Sequence, residues 1–220
     1  MQPNRVIPGT SLPRIMKDIK TLQNREKEGI YMKIVNDDVS KIYIMLVGAD
    51  KTPYHNGLFF FTIEPLANWN SRDTPLKYPA NPPRVLFFSC YDGYIHENLY
   101  SREMGGKVCL SILGTWPGGK DEQWSPLMTF ENILMCIYQI MDLESSSSYS
   151  GYKTHLSPKA LKAKIPREVV KFVYEPILAG KSVNFRVGQE TMNFNIFEAE
   201  IKALWASKQE WYKEQLAVKP

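Results

Sequence analysis

The stretch GGKVCLSILGTW, residues 105–116, places one thiol, Cys109, near the start of an apolar run between two glycine-containing turns. It lies inside a longer segment, residues 91–125, that is otherwise rich in Gly and charged residues and contains two Trp. A segment of this length without a regular pattern is usually functional or mobile in a compact domain. Free cysteines are also among the most often buried residue types, so Cys109 by itself leaves catalysis and core packing as equal alternatives.

Four short β-prone runs precede this stretch. Apolar and aromatic residues dominate each run, and the runs are separated by turns containing Asn, Asp or Gly, or by a proline-rich segment. This pattern predicts an antiparallel meander. The four predicted strands are Ile30–Val35, Ile42–Val47, Leu58–Ile63 and Arg84–Ser89.

Apolar residues at helical spacing lie on either side of these strands in the sequence. One helix is predicted from Leu12 and ends before Gly29, and a second runs from Thr129 to Met141. The order of elements predicts an α+β fold, a four-stranded antiparallel meander with helices packed on one face.

A second region follows the serine run at residues 145–148. Two further helices are predicted there, Glu168–Glu175 between two prolines and Phe197–Leu216. We therefore divide the chain into a core domain, residues 1–156, and a helical C-terminal extension, residues 157–220.

Composition excludes several classes of protein. With 220 residues, 44% of them hydrophobic, the chain is long enough to bury one core with an elaboration, and its net charge of +4 is too small for a dedicated nucleic-acid binder. The three cysteines have no CxxC spacing, which argues against a disulfide framework or a four-ligand zinc site. No signal peptide or membrane span is expected, and we expect a cytoplasmic and/or nuclear location, with neither nucleic acid nor a membrane as partner.

Two catalytic alternatives have weak support. Residues 114–120 match the phosphate-binding pattern GxxxxGK, but Asp121 stands where a metal-binding Ser or Thr is required, and no helical pattern follows. A cysteine hydrolase would use Cys109 with His96 and Asn98, although the sequence alone cannot establish the short distance that such a base requires. The contexts of Cys90 and Cys136 favour inert packing.

Several motifs occur in an order that resembles the ubiquitin-conjugating enzymes, over roughly residues 11–152. The resembling segments are LPRIMKDI (12–19), TPYHNG (52–57), YPANPPRV (78–85), HEN (96–98), GKVCLSIL (106–113) and WSP (124–126). The sequence LSILGTW and the long spacer before WSP resemble those of a subgroup of large conjugating enzymes, which includes the conjugating domain of the giant inhibitor-of-apoptosis protein. Glu144 and the later Gly151-Tyr152 are similar to a further motif of that subgroup.

The resemblance implies that Cys109 accepts ubiquitin or a ubiquitin-like protein from an activating enzyme as a thioester. Cys109 then passes the modifier to a substrate lysine or to a RING- or HECT-type ligase, with no metal and no cofactor of its own. Asn98 matches the family residue that supports the oxyanion or the loop. Ser148 is the nearest match to the family's gate residue; either this gate is missing, or a phosphate on the serine would supply the negative charge.

The resemblance also implies where partners bind. Arg14, Lys17 and Lys20 form a basic stripe on the helix that meets the activating enzyme or a ligase in the family, and Pro126 and Leu127 lie at a second contact. Leu66, Trp69 and Trp124 are further candidates. Two departures stand out: Glu97 replaces a proline, and residues 101–106 lengthen the loop before Cys109. They leave open an alternative, a catalytically weak or inactive ubiquitin-binding module of the same fold.

Overall fold

The computed structural model describes residues 11–67, 69, 77–142 and 156–218. The first part of the chain forms a helix, four strands and a second helix in the predicted order. Their bounds are α1 Leu12–Leu22, β1 Ile30–Ile34, β2 Ile42–Val47, β3 Leu58–Glu64, β4 Arg84–Phe88 and α2 Phe130–Asp142. The predicted four-stranded meander and the α+β fold class are confirmed.

The four strands lie in sequence order, and each neighbouring pair is antiparallel. The turn after β1 contains Asn36 and Asp37 with φ of 54° and 56°, a left-handed conformation that Asn and Asp adopt more readily than most side chains. In the resulting register, Met45 of β2 lies opposite both Tyr31 of β1 and Phe60 of β3.

Strand alternation gives the sheet two different faces. Tyr31, Met45, Phe60 and Phe88 form one row across what we call the outer face. Phe59 alternates onto the opposite face, and the core cluster that contains it also contains the buried residues of α1 and α2. Every residue of β3 is buried, so both faces of this strand are covered.

The cover of the outer face comes from the C-terminal extension. Its elements are α3 Pro158–Val169, a π-helical turn Val170–Tyr174, α4 Glu175–Leu178, β5 Asn184–Val187, β6 Glu190–Asn193, a 3-10 turn Phe194–Phe197 and α5 Glu198–Ala217. The predicted last helix is present within one residue of its expected bounds.

One expectation for the extension is wrong. The prediction that Pro166 bounds a helix fails, because the stripe Leu161, Ile165 and Val169 is buried and α3 begins at Pro158. Burial of that stripe outweighs the one hydrogen bond that an internal proline removes. The extension contains helices as expected, and β5 and β6 add an antiparallel hairpin to them.

The hairpin region is fixed to the sheet by aromatic rings. The Phe60 ring stacks on Phe194 with centroids 3.6 Å apart, and Phe194 stacks on Phe185 of β5 at 4.8 Å. Phe197 packs on Phe60 from the side at 6.2 Å. We call these four residues the outer aromatic stack. It joins the extension to the centre of the sheet, and the core cluster continues through both regions.

Candidate active site

Cys109 lies on one strand of a short antiparallel ladder. The Cys109 N–H donates to the Asn98 carbonyl at 2.8 Å, Leu99 and Val108 form a bridge, and the Tyr100 N–H donates to the Lys107 carbonyl at 3.0 Å. We call residues 96–100 with 107–109 the active-site ladder. Because opposed residues share a face, Asn98 lies beside Cys109, while Leu99 and Val108 are buried on the other side.

The Asn98 side chain reinforces this pairing. Its Nδ2 donates to the carbonyl of Cys109 at 2.7 Å, so the two residues exchange a backbone bond and a side-chain bond. Asn98 is itself buried. A buried carbonyl that loses its donor is destabilised, so the amide fixes the backbone on which the thiol is carried.

The Cys109 thiol is held mostly in its neutral form. The residue is only 1% exposed, and burial raises the pKa of Cys109, while a hydrogen bond from the Tyr100 side chain and the positive charge of Lys107 oppose the rise. Burial disfavours the thiolate because it removes the charge from water.

His96 cannot serve as the base of a hydrolase in this arrangement. Its Nδ1 accepts the Asn98 N–H at 3.0 Å, and the ring also hydrogen-bonds the Ile140 backbone, which leaves Nε2 as the donor. Burial lowers the pKa of His96 to about 4, with Glu97 opposing the shift. Both nitrogens of a neutral ring are thus occupied, which argues against a Cys-His hydrolase.

The longer loop before Cys109 does not displace the ladder. Residues 101–106, which we call the active-site loop, form a 3-10 turn at Arg102–Met104 and close through the Gly106 N–H to the Ser101 carbonyl at 3.1 Å. The turn that contains Glu97 is also closed, by the Leu99 N–H to the His96 carbonyl at 3.1 Å. The active-site loop thus leaves the ladder after Tyr100 and returns to it at Lys107.

The stretch after Cys109 is a compact turn. The Thr115 hydroxyl accepts the Leu110 N–H at 3.0 Å and donates to the Val108 carbonyl at 2.7 Å. Beyond Gly114 the GxxxxGK pattern leads only into a three-residue 3-10 turn at Lys120–Glu122. A phosphate-binding loop needs a helix at this point, so the structure does not support nucleotide binding.

Comparison with known proteins assigns the family. The profile described as "Ubiquitin-conjugating enzyme" matches residues 14–157. The chain belongs to this family. It is 34% identical to the putative ubiquitin-conjugating enzyme E2 39 of Arabidopsis thaliana, over 63% of this chain and 40% of that protein. It is 30% identical to human ubiquitin-conjugating enzyme E2 Z, over 67% of this chain and 38% of that protein.

The chain therefore spans well under half the length of these two relatives. Among solved structures, human ubiquitin-conjugating enzyme E2 G1 aligns over 62% of this chain and 97% of that chain. Its identity is 24% and its TM-score is 0.46, so this likeness adds nothing to the family assignment.

The family profile begins within the basic stripe on α1, whose three residues differ in the structure. Lys17 and Lys20 are exposed. Arg14 instead bonds Asp18 at 3.0 Å and the carbonyls of residues 126 and 128 at 2.7 and 2.5 Å. Its guanidinium thus ties α1 to the loop around the WSP motif.

The loop that Arg14 holds presents an apolar tip. Leu127 is 87% exposed, and Pro126 is exposed beside it. The Trp124 indole N–H donates to the Pro79 carbonyl at 2.7 Å, which fixes the base of the loop. The tip is therefore held in place at both ends. Leu66 and Trp69 are half-buried against the core.

Other sequence candidates lie outside the described residues, namely Ser148, Glu144 and Gly151-Tyr152. Cys90 is buried and Cys136 is half-buried, and burial raises the pKa of both thiols. Within the part of the chain that is described, no three His, Cys, Asp or Glu side chains gather as a metal site. No helix described in the chain is both long and apolar enough to cross a bilayer.

Sequence reasoning missed Tyr100 and Lys107 as neighbours of the thiol. They lie opposite each other in the ladder, two residues from Asn98 and Cys109 respectively, so they share the thiol's face. The Lys107 ammonium lies 5.9 Å from the centroid of the Trp69 ring, within cation-π range. The signal that identifies them is the period-two alternation of the ladder, which requires its register to be known.

Proposed function

We propose that this chain is an active conjugating enzyme for ubiquitin or a ubiquitin-like protein, with Cys109 as its acceptor thiol. The observation that carries the proposal is the ladder that exchanges two hydrogen bonds between Asn98 and Cys109. It provides a fixed thiol in a chain of the conjugating family, and the Nδ1 of His96 in the same ladder is occupied by the Asn98 N–H.

The chemistry is thioester exchange. The Cys109 sulfur attacks the carbonyl carbon of the modifier's C-terminal thioester on the activating enzyme, and its proton leaves to solvent. The tetrahedral intermediate then expels the activating enzyme's thiolate, so one C–S bond forms and one breaks. An attacking lysine amine, or a ligase thiol, later displaces the Cys109 thiolate in the same way. No atom changes oxidation state, so the chemistry requires no redox cofactor.

Asn98 acts first as support for the loop. Its Nδ2 is already bonded to the Cys109 carbonyl, and that bond must break before the amide can donate to the oxyanion of the intermediate. We propose the support role for the resting enzyme and the oxyanion role for the step in which lysine attacks. Ser148 remains our proposal for a gate beside that lysine.

Partner surfaces are assigned as proposals. Lys17 and Lys20 supply exposed positive charge for an acidic surface of the activating enzyme or a ligase. Pro126 and Leu127 supply an apolar contact for a RING- or HECT-type ligase, because their loop is exposed yet fixed by Arg14. We also propose membership of the large-enzyme subgroup and a cytoplasmic and/or nuclear location.

The experiment is a non-reducing gel after incubation with activating enzyme, ATP and labelled ubiquitin or ubiquitin-like proteins. We expect an adduct that thiol reagents remove, that Cys109→Ala abolishes, and that Cys90→Ala and Cys136→Ala retain. A second function, a binding module that forms no thioester, is favoured by one observation, the 1% exposure of Cys109. Absence of an adduct with any modifier, together with binding of free ubiquitin, would establish that second function.

A further inference from the structure

The active-site loop rests against β5 of the C-terminal extension. Gly106 has a φ of 59°, and a Cβ built on it would lie 2.6 Å from Val187 Cγ1 and 2.5 Å from the Phe87 carbonyl oxygen. The Phe87 N–H also donates to the Gly106 carbonyl at 2.8 Å. Gly106 therefore lies between β4 and Val187 in a space that has no room for a side chain.

A second contact joins the loop to the same strand. The Arg102 guanidinium carbon lies 5.6 Å from the centroid of the Phe185 ring, within the range of a cation-π interaction. Phe185 and Val187 are buried, while the alternating residues Asn184 and Arg186 are exposed. One face of β5 thus meets the loop at its 3-10 turn and again where the loop returns.

This face of β5 is fixed to the sheet through the outer aromatic stack, since Phe185 packs on Phe194 and Phe194 on Phe60. At its C-terminal end, the active-site loop continues directly into the ladder. Gly106 precedes Lys107, whose carbonyl accepts the Tyr100 N–H at 3.0 Å. A continuous series of contacts therefore runs from the sheet, through the extension, to the backbone that carries Cys109.

We propose that Phe185 and Val187 are positioning residues for Cys109, which act by holding the active-site loop against the ladder. The expected effect on thioester formation rests on the proposed function. This positioning role joins two features of the chain, the longer loop before the cysteine and the hairpin of the extension. A loop with inserted residues needs a second surface to order it, and β5 supplies that surface.

The test compares two buried valines of the extension in the full chain. Val187→Ala removes the contact with Gly106. Val183→Ala is the matched control, because Val183 is also buried and precedes β5 at the end away from Val187. Phe185→Leu and Phe185→Trp form a second pair, in which only Trp keeps an aromatic face for Arg102.

Two readouts are taken for each variant. The first is the rate of alkylation of Cys109 by iodoacetamide between pH 7 and pH 10, followed by mass spectrometry of the Cys109 peptide. It requires no ubiquitin pathway and reports how accessible the thiol is to a small reagent. The second is the rate of thioester formation with activating enzyme, ATP and ubiquitin, separated into kcat and KM.

We expect Val187→Ala to alkylate several-fold faster with a pH profile shifted to lower pH, and to form thioester several-fold more slowly through kcat. Val183→Ala should match wild type in both rates, and Phe185→Trp should retain more of wild-type behaviour than Phe185→Leu. Equal alkylation profiles for the two valine variants would overturn the inference. If wild type forms no thioester, the proposed function fails, and the alkylation comparison alone decides the positioning role.

Discussion

The active-site ladder and the outer aromatic stack hold neighbouring parts of the molecule by different means. In the ladder, backbone groups and one amide side chain bond each other across a short stretch of chain. In the stack, aromatic rings from β3 and from the extension pack face to face. The backbone around Cys109 is thus held by local hydrogen bonds, whereas the cover of the outer face comes from the far end of the chain.

The largest effect is expected when the stack is broken. Phe194→Ala should lower the free energy of unfolding by about 3–5 kcal/mol, because it removes a fully buried ring between two others. Urea unfolding measures the change. Phe172→Ala, at a half-buried phenylalanine of the extension, is the control and should cost clearly less. Equal costs would mean that the stack does not anchor the extension.

Acid should weaken the ladder through His96. Burial lowers the pKa of His96 to about 4 in the folded chain, against 6.5 for the free side chain. The unfolded chain therefore takes up a proton first, and stability is lost as pH falls from 6.5 through about 4. The expected loss is up to about 3 kcal/mol.

Unfolding at a series of pH values checks this prediction. His96→Gln should lose most of the pH dependence in that window. His55→Gln is the comparison. Burial also lowers the pKa of His55, but by less than that of His96, so this variant should retain more of the pH dependence. If His96→Gln leaves the slope unchanged, His96 is not buried in its neutral form.

Asn98→Ala should lower the free energy of unfolding by about 1–3 kcal/mol, because it leaves the Cys109 carbonyl without its donor. It should also slow thioester formation. The matched control is Asn195→Ala in the extension, which removes side-chain bonds to the Val183 N–H and the Lys181 carbonyl. That variant should lose similar stability, and thioester formation should be slowed less than by Asn98→Ala. Equal slowing by both would show that the ladder has no special part in the reaction.

The smallest effect is expected at the ion pairs beside the stack. Glu190 lies 2.6 Å from Lys41 and 3.2 Å from Arg84. Burial raises its pKa, but the hydrogen bonds and charges of these partners outweigh burial and leave the pKa of Glu190 below 4.5. The stability that ionised Glu190 contributes is therefore present above pH 4.5. It is lost as pH falls through the lower pKa that Glu190 has in the folded chain.

Glu190→Gln should cost about 1 kcal/mol or less at pH 7. Acidification from pH 7 to pH 5 should then reduce the stability that depends on neutral His96, and leave the stability contributed by Glu190 intact. Urea unfolding at pH 7 and pH 5 compares the variant with wild type. A cost for Glu190→Gln that disappears already at pH 5 would contradict this assignment.

The contrast between the two regions also explains what the sequence could reveal. The strands β1 to β4 were predictable because each is a run of apolar and aromatic residues closed by turn residues. The hairpin β5–β6 was not, since NFRV and ETMN are short and partly polar. The hairpin is held by Phe185, which packs on Phe194 and through it on Phe60. The helix start predicted after Pro166 was wrong for a related reason, because burial of the apolar stripe of α3 outweighed the local helix-breaking effect of the proline.

The site also contains residues that local motifs identify and contacts that only the tertiary fold creates. Cys109 and Asn98 could be named from adjacent motifs, and the structure places them side by side. The sequence placed Arg14 with Lys17 and Lys20 in one basic stripe, yet Arg14 bonds backbone carbonyls more than a hundred residues away. The contact of Val187 with Gly106 depends on the packing of the whole extension, and no local pattern signals it.

The most direct test of the central claim replaces the sulfur alone. The full chain with Cys109→Ser is incubated with activating enzyme, ATP and ubiquitin, and the adduct is treated separately with thiol and with hydroxide. We predict a wild-type adduct that thiol releases, and a Cys109→Ser adduct that resists thiol but is released by hydroxide, as an oxygen ester should be. A thiol-sensitive adduct on Cys109→Ser would place the modifier on another cysteine and contradict the account.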